Sequence, residues 1–157
     1  MLKNYKELKV WQRSYQLCLQ TYGITKEFPE DERYGLSSQM RRAAVSVPSN
    51  IAEGYGRKTT QDYIRFLHIA YGSNCELETQ ILLGGDLGYI EAPKLEILRQ
   101  GIGEVERMLK ALIRSLERKH STPWAPCIFL RRKPQSWNPF LQLSWRKICI
   151  KNKGISQ

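Results

Sequence analysis

The sequence predicts an all-α fold: an antiparallel up-down-up-down four-helix bundle over residues 1–119, followed by an irregular basic C-terminal tail over residues 120–157. Three observations carry this expectation. Four stretches place apolar residues at alternating steps of three and four, the period of one helix face. No segment of residues 1–119 alternates with the period of two that a half-buried strand requires. The connections between the stretches are short, and four amphipathic helices with short links have the antiparallel bundle as their common solution. A chain of 157 residues holds one such domain with a real core, plus a tail.

Helix one is expected from about Asn4 to Phe28, with Leu8, Trp11, Tyr15, Cys18 and Tyr22 as its seam. Val10, Leu17 and Ile24 widen that seam enough to touch two neighbours. Pro29 and the acidic run Glu30–Glu32 then break the helix and place negative charge near the start of the next. Helix two occupies the stretch Arg33–Arg57, ending near Gly54 and Gly56, where glycine can take a left-handed cap conformation. Its apolar stripe is Leu36, Met40, Ala44, Val47 and Ile51, and Arg42, Ser46, Asn50, Glu53 and Arg57 form a polar stripe on another side. Pro48 removes one backbone hydrogen bond, a penalty of roughly 3 kcal/mol in an ordinary helix interior. Either a tolerated kink wraps the helix around a small bundle, or this surface is built for a particular neighbour.

Thr59 or Thr60 caps helix three, with Asp62 in its first turn. Its core face reads Tyr63, Phe66, Ala70, Ser73, Leu77, Ile81 and Gly84, and Ala70, Gly72 and Ser73 allow close approach to Ala43 and Ala44 of helix two. Gly84–Gly88 reads as a turn; it lacks the strand-to-helix setting and lysine of a phosphate-binding P-loop. Helix four starts near Pro93, and Leu95, Leu98, Ile102, Val105, Leu109, Leu112 and Leu116 step through three heptads.

The run GLSSQMRRAAVSVPSNIAEGYGR within helix two, FLHIAYGSNCELETQ at Phe66–Gln80 and LKVWQ at Leu8–Gln12 resemble the four-helix-bundle proteins encoded in intervening sequences of 23S ribosomal RNA genes. The resemblance covers about Leu8 to Lys119, in three separated blocks in the same order. That family is similar in turn to the accessory protein of diversity-generating retroelements, which pairs with a reverse transcriptase and binds nucleic acid as a five-membered ring. The resemblance therefore implies a homo-oligomer, a pentamer, with RNA or DNA and a reverse transcriptase among its possible partners.

Charge divides unevenly along the chain. The net charge is +10, yet residues 1–119 hold 18 Lys and Arg against all 15 acids, whereas the tail holds 7 basic residues and no acid. The tail interleaves the basic clusters Arg131-Arg132-Lys133 and Arg146-Lys147 with Trp124, Phe129, Trp137, Phe140 and Trp145, and four prolines interrupt it. It is expected to be disordered. It reads either as a stacking arm for single-stranded nucleic acid or as a non-functional read-through extension.

The N-terminal MLKNYKELKVW has no apolar signal region, and no apolar run approaches the ~20 residues that cross a bilayer, so the expectation is a cytoplasmic protein with no membrane partner. Cys18, Cys75, Cys127 and Cys149 are scattered, and neither His68 nor His120 has a metal-ligand neighbour at useful spacing. No metal, cofactor or enzymatic activity is expected.

Two functional readings remain. In the first, an oligomeric scaffold binds RNA or DNA backbone through Arg41, Arg42, Arg57, Lys58 and Arg65, gathered near one end of helices two and three, and through Arg131, Arg132 and Lys133 of the tail. Ala43, Ala44, Pro48, Asn50, Glu53 and Glu76 serve helix packing and assembly. The competing assignment has the same arginines satisfying Glu53, Glu76 and Glu78. In the second reading the bundle is a protein-protein adaptor docking a reverse transcriptase.

Overall fold

Apolar spacing becomes helix in each of the four expected stretches, with boundaries set by local hydrogen bonding. The computed structural model describes residues 4–120 and contains α1 (Lys9–Ile24), α2 (Leu36–Tyr55), α3 (Thr60–Asp86) and α4 (Ala92–His120), with 3-10 turns at Tyr5–Glu7 and Glu30–Arg33. No strand occurs among the described residues. α1 packs on α2 and α4, and α3 packs on α2 and α4, while the diagonal pairs make no backbone contact. That adjacency is what an up-down-up-down bundle requires. His120, expected as the first residue of the tail, ends α4 instead, and the rest of the tail, residues 121–157 with Arg131, Arg132 and Lys133 among them, lies outside the described residues.

The first helix is shorter than expected and turns a different face inward. Asn4 caps the 3-10 turn by accepting from the Lys6 amide at 2.8 Å, and Leu8 is extended, so α1 begins only at Lys9. At its other end Lys26 and Glu27 bond back to the carbonyls of Gly23 and Ile24, a tightening that ends the helix before Phe28. Val10, Ser14, Leu17, Cys18 and Thr21 are the buried residues of the helix. Ser14 and Thr21 enter the core because their hydroxyls donate to the Trp11 and Leu17 carbonyls, at 2.8 and 2.9 Å. The expected aromatic seam instead lies at the rim: Tyr15 is 46% exposed and Tyr22 39%, and Trp11 stacks on Tyr15 with centroids 5.2 Å apart. Aromatic rings with a polar tip suit this half-wet position.

The stretch expected as one helix from Arg33 is broken at Gly35, whose backbone is non-helical, and the Glu32 carboxylate accepts the Leu36 amide at 2.8 Å. Met40, Ala43, Ala44, Val47, Pro48 and Ile51 are buried in the bundle. The left-handed glycine cap does not form, since Gly56 has φ −78° and Gly88 is the only positive-φ residue among those described. Gly54 has a different purpose. A Cβ there would lie 2.8 Å from Phe66 Cβ and 2.9 Å from Tyr63 Cδ2, so its hydrogen lets α3 close on α2.

Thr59 caps α3, accepting from the Asp62 amide at 3.0 Å. Leu67 rather than Phe66 is fully buried, and Asn74 joins Ala70, Leu77 and Ile81 in the core. A Cβ at Gly72 would meet nothing within 4 Å among the described residues, so this glycine is not needed for helix packing there. Gly84 and Gly85 remain helical, and the turn comes later, at Leu87–Ile90, where the Tyr89 and Ile90 amides both reach the Gly84 carbonyl at 2.9 and 3.1 Å. In α4, Leu98, Ile102, Val105, Leu109 and Ile113 are buried, with Leu95, Leu112 and Leu116 partly so. The inward face drifts from Leu112 to Ile113 because 3.6 residues per turn outruns a strict heptad.

Candidate nucleic-acid interface

α2 carries the side chains that the sequence singles out, and its neighbour α3 decides what each one meets. Ala43 and Ala44 are 1% exposed, used up in packing inside the chain. Around Pro48 a small polar cluster joins α2 to α3: the Ser46 and Ser73 hydroxyls are 2.8 Å apart, and the Asn50 amide donates to the Ser46 carbonyl at 2.8 Å and Oγ at 3.0 Å. Asn50 is thus folded back along its own helix. Ser73 Oγ also reaches the Ile69 carbonyl at 3.1 Å, so the bridge is tied to both backbones.

Glu53 and Glu76 find arginine partners, whereas Glu78 is exposed and pairs with no cation among the described residues. Glu53 pairs with Arg57 one turn on, and Glu76 of α3 lies 3.6 Å from Arg42 of α2. Both pairs are open to solvent, where such links contribute about 0–1 kcal/mol. Neither pair is desolvated, so the cost of about 3–5 kcal/mol for breaking a buried pair does not apply to them. Gln39 also accepts from Arg42 at 2.7 Å, and the Arg57 guanidinium sits 4.5 Å from the Phe66 ring centroid.

The five basic residues singled out in the bundle do not gather at one end. Arg42 lies in the second turn of α2 and Arg57 just beyond its last residue, Tyr55, and the thirteen positions from Arg42 to Tyr55 alone rise roughly 20 Å at 1.5 Å per residue. Arg57, Lys58 and Arg65 share the end where α2 passes into α3; Lys58 and Arg65 are exposed, with no carboxylate of the described residues in ion-pair range. Arg41 belongs to the opposite end. Its Nε donates to Thr25 Oγ1 at 2.8 Å, and its guanidinium lies 5.3 Å from the Tyr22 ring centroid. Sequence reasoning missed this link between Arg41 and the end of α1; the short acidic connection was the available signal that the two must meet. It also missed Asn74, whose amide donates to the Ile102 carbonyl at 3.3 Å, although its step from Ala70 and to Leu77 follows the apolar stripe.

Between the two basic ends runs a row of small and apolar side chains. Val45 and Ser49 follow Arg42 at helical steps on α2, Gly72 and Ile69 precede Glu76 on α3, and all of them are exposed. The Arg42–Glu76 pair joins the two rows into one face. No helix of the described residues is long and apolar enough to cross a membrane.

Comparison with known proteins supplies the remaining information. In a crystal structure at 1.70 Å resolution, a protein of unknown function from Bacteroides thetaiotaomicron, of the S23 ribosomal protein family, has the same fold, with a TM-score of 0.63. It is 24% identical to this chain, over 66% of this chain and 97% of its own length. No curated protein matches the sequence. The model of the family described as 23S rRNA-intervening sequence protein matches residues 6–111, which span α1 to α3 and most of α4. The chain belongs to the 23S rRNA-intervening sequence protein family.

Proposed function

We propose that the chain is a non-enzymatic, cytoplasmic, homo-oligomeric scaffold that binds the backbone of RNA or DNA through repeated basic clusters. The observation that carries the reading is the exposed charge of Lys58 and Arg65, unpaired among the described residues, beside Arg57 where α2 hands over to α3. One such cluster is a weak site, and repetition around a symmetric assembly multiplies it. The exposed row of Val45, Ser49, Ile69 and Gly72 supports self-association, because small side chains let a second copy approach closely. Five copies is the number implied by the resemblance to the retroelement accessory protein.

Anisotropy titration of RNA with the full chain at several salt concentrations tests the reading. Affinity should fall linearly on a log–log plot, and the triple variant R57Q/K58Q/R65Q should flatten the slope by roughly 2, at about 0.7 per single-stranded phosphate contact. An unchanged slope in the variant, or a flat response in the wild type, would count against it. A second reading is favoured by Tyr15, Leu19 and Tyr22 of α1, which the bundle leaves exposed. These residues suit a protein partner such as a reverse transcriptase, and a Y15S/L19S/Y22S variant that loses co-purification of that enzyme while keeping the salt slope would select it.

A further inference from the structure

At the corner where α1 turns into α2, a cavity of about 240 Å³ is lined by Thr25, Lys26, Phe28, Pro29, Glu30, Arg33, Ser37 and Arg41. Three cations and one carboxylate face the same small space. Arg41 is held for a purpose other than pairing: its Nε donates to Thr25 Oγ1, which donates onward to the Thr21 carbonyl at 2.9 Å, and Tyr22 supports the guanidinium plane. The Nη groups of Arg41 have no partner among the described residues, and no carboxylate there pairs with Lys26 or Arg33. The cavity also lies at the N-terminus of α2, the positive end of a 20-residue helix. Glu32 takes the Leu36 amide, so the next free amides of that first turn belong to Ser37 and Ser38.

Ser37 supplies an independent sign. It is 2% exposed, it lines the cavity, and its Oγ has no hydrogen-bond partner among the described residues, an arrangement that costs about 1–3 kcal/mol unless a ligand or water completes it. We propose that this corner binds a single terminal or free phosphate group, held by the Arg41 fork, Arg33, Lys26, the Ser37 hydroxyl and the first turn of α2. A phosphate offers several acceptor oxygens and no apolar bulk, which fits convergent donors in a small cavity. The volume suits one such group and not a strand of nucleic acid. The pocket lies at the opposite end of α2 from Arg57, Lys58 and Arg65, so it stands or falls independently of nucleic-acid binding at that end.

Calorimetric titration of the full chain with inorganic phosphate, at ionic strength matched with sodium chloride, tests the proposal. A saturable isotherm with one site per chain is expected. The dissociation constant should weaken at least about tenfold in R41Q and about threefold in R33Q and in S37A. Arg33 is exposed, and its guanidinium lies 5.8 Å from the Tyr34 ring centroid with no hydrogen bond or ion pair among the described residues, so R33Q keeps the test valid even where R41Q disturbs folding. Heat no greater than that of chloride, or wild-type affinity in both R33Q and S37A, would overturn the proposal. Competition then separates the sources. Displacement of phosphate by a 5′-phosphorylated hexanucleotide and not by its 5′-hydroxyl form identifies a nucleic-acid end, and displacement by neither identifies the free anion. Equal displacement by both contradicts a pocket for a terminal group.

Discussion

Tyr63 is a residue whose environment works against it. Its hydroxyl is shielded from solvent with no hydrogen-bond partner, and its ring meets Tyr55 edge-on at 6.2 Å. Burial, with a smaller contribution from Tyr55, pushes its pKa from 10.0 up to about 12. A raised tyrosine pKa means that the fold prefers the neutral form. The fold therefore loses nothing from this group below pH 10, and loses stability as pH rises from 10 towards 12, where the unfolded chain ionises first. Tyr63→Phe deletes both the stranded hydroxyl and the titration. Urea unfolding followed by circular dichroism is expected to give a variant about 1 kcal/mol more stable at neutral pH, with a shallower decline between pH 10 and 12. An alkaline decline as steep as that of the wild type would show that other groups cause it.

At the scale of helices, two glycines in the α2–α3 pair make opposite predictions. Alanine at Gly54 places a methyl against Phe66 Cβ, an atom one bond from the backbone that cannot swing away, so the helices must separate. The expected cost is about 1–3 kcal/mol, read as a lower urea midpoint with little change in slope. Alanine at Gly72 has no atom of the described residues beyond its own helix within 4 Å and replaces a flexible residue within a helix, for an expected gain of about 0.5–1 kcal/mol in the protomer. If copies of the chain pack across Gly72, the same variant should weaken assembly while strengthening the bundle. Sedimentation velocity run beside the unfolding curve separates the two effects.

The same pair shows what the sequence made legible. The apolar steps of α4 and the capping Thr59 were readable because period and cap chemistry are local properties. The inward face of α1 was not, because Ser14 and Thr21 count as polar in any pattern until their hydroxyls are seen bonded to their own helix. Gly54 was read as a cap for a similar reason, since sequence gives no sign that Tyr63 and Phe66 will press against it. The pairing of Glu53 with Arg57 was visible in their four-residue spacing, whereas the gathering of Arg42 with Arg57 was excluded by the rise of α2, which starts before the one and ends just before the other.

For the molecule as a whole, the question is where the positive charge acts. Every buried apolar residue of the described part lies between Leu8 and Ile113, so a chain ending at Lys119 keeps all of them. Its cooperative unfolding is expected to match that of the full protein, with a Tm shift of at most a few degrees. Its charge does not match: the bundle nearly balances, with 18 basic against 15 acidic residues, and the seven cations beyond it have no acid to offset them. If the basic clusters of the bundle carry nucleic-acid binding, the shortened chain should retain saturable binding and lose only the part of the salt slope owed to the tail. That part is about 0.7 for each tail cation that meets a single-stranded phosphate. Light scattering on both chains fixes the number of copies, so that slopes are compared per assembly. Loss of all binding with assembly intact would assign recognition to residues 120–157. Loss of assembly as well would mean that the boundary at Lys119 cuts through the domain and that the outer face of α2 and α3 is insufficient to hold copies together.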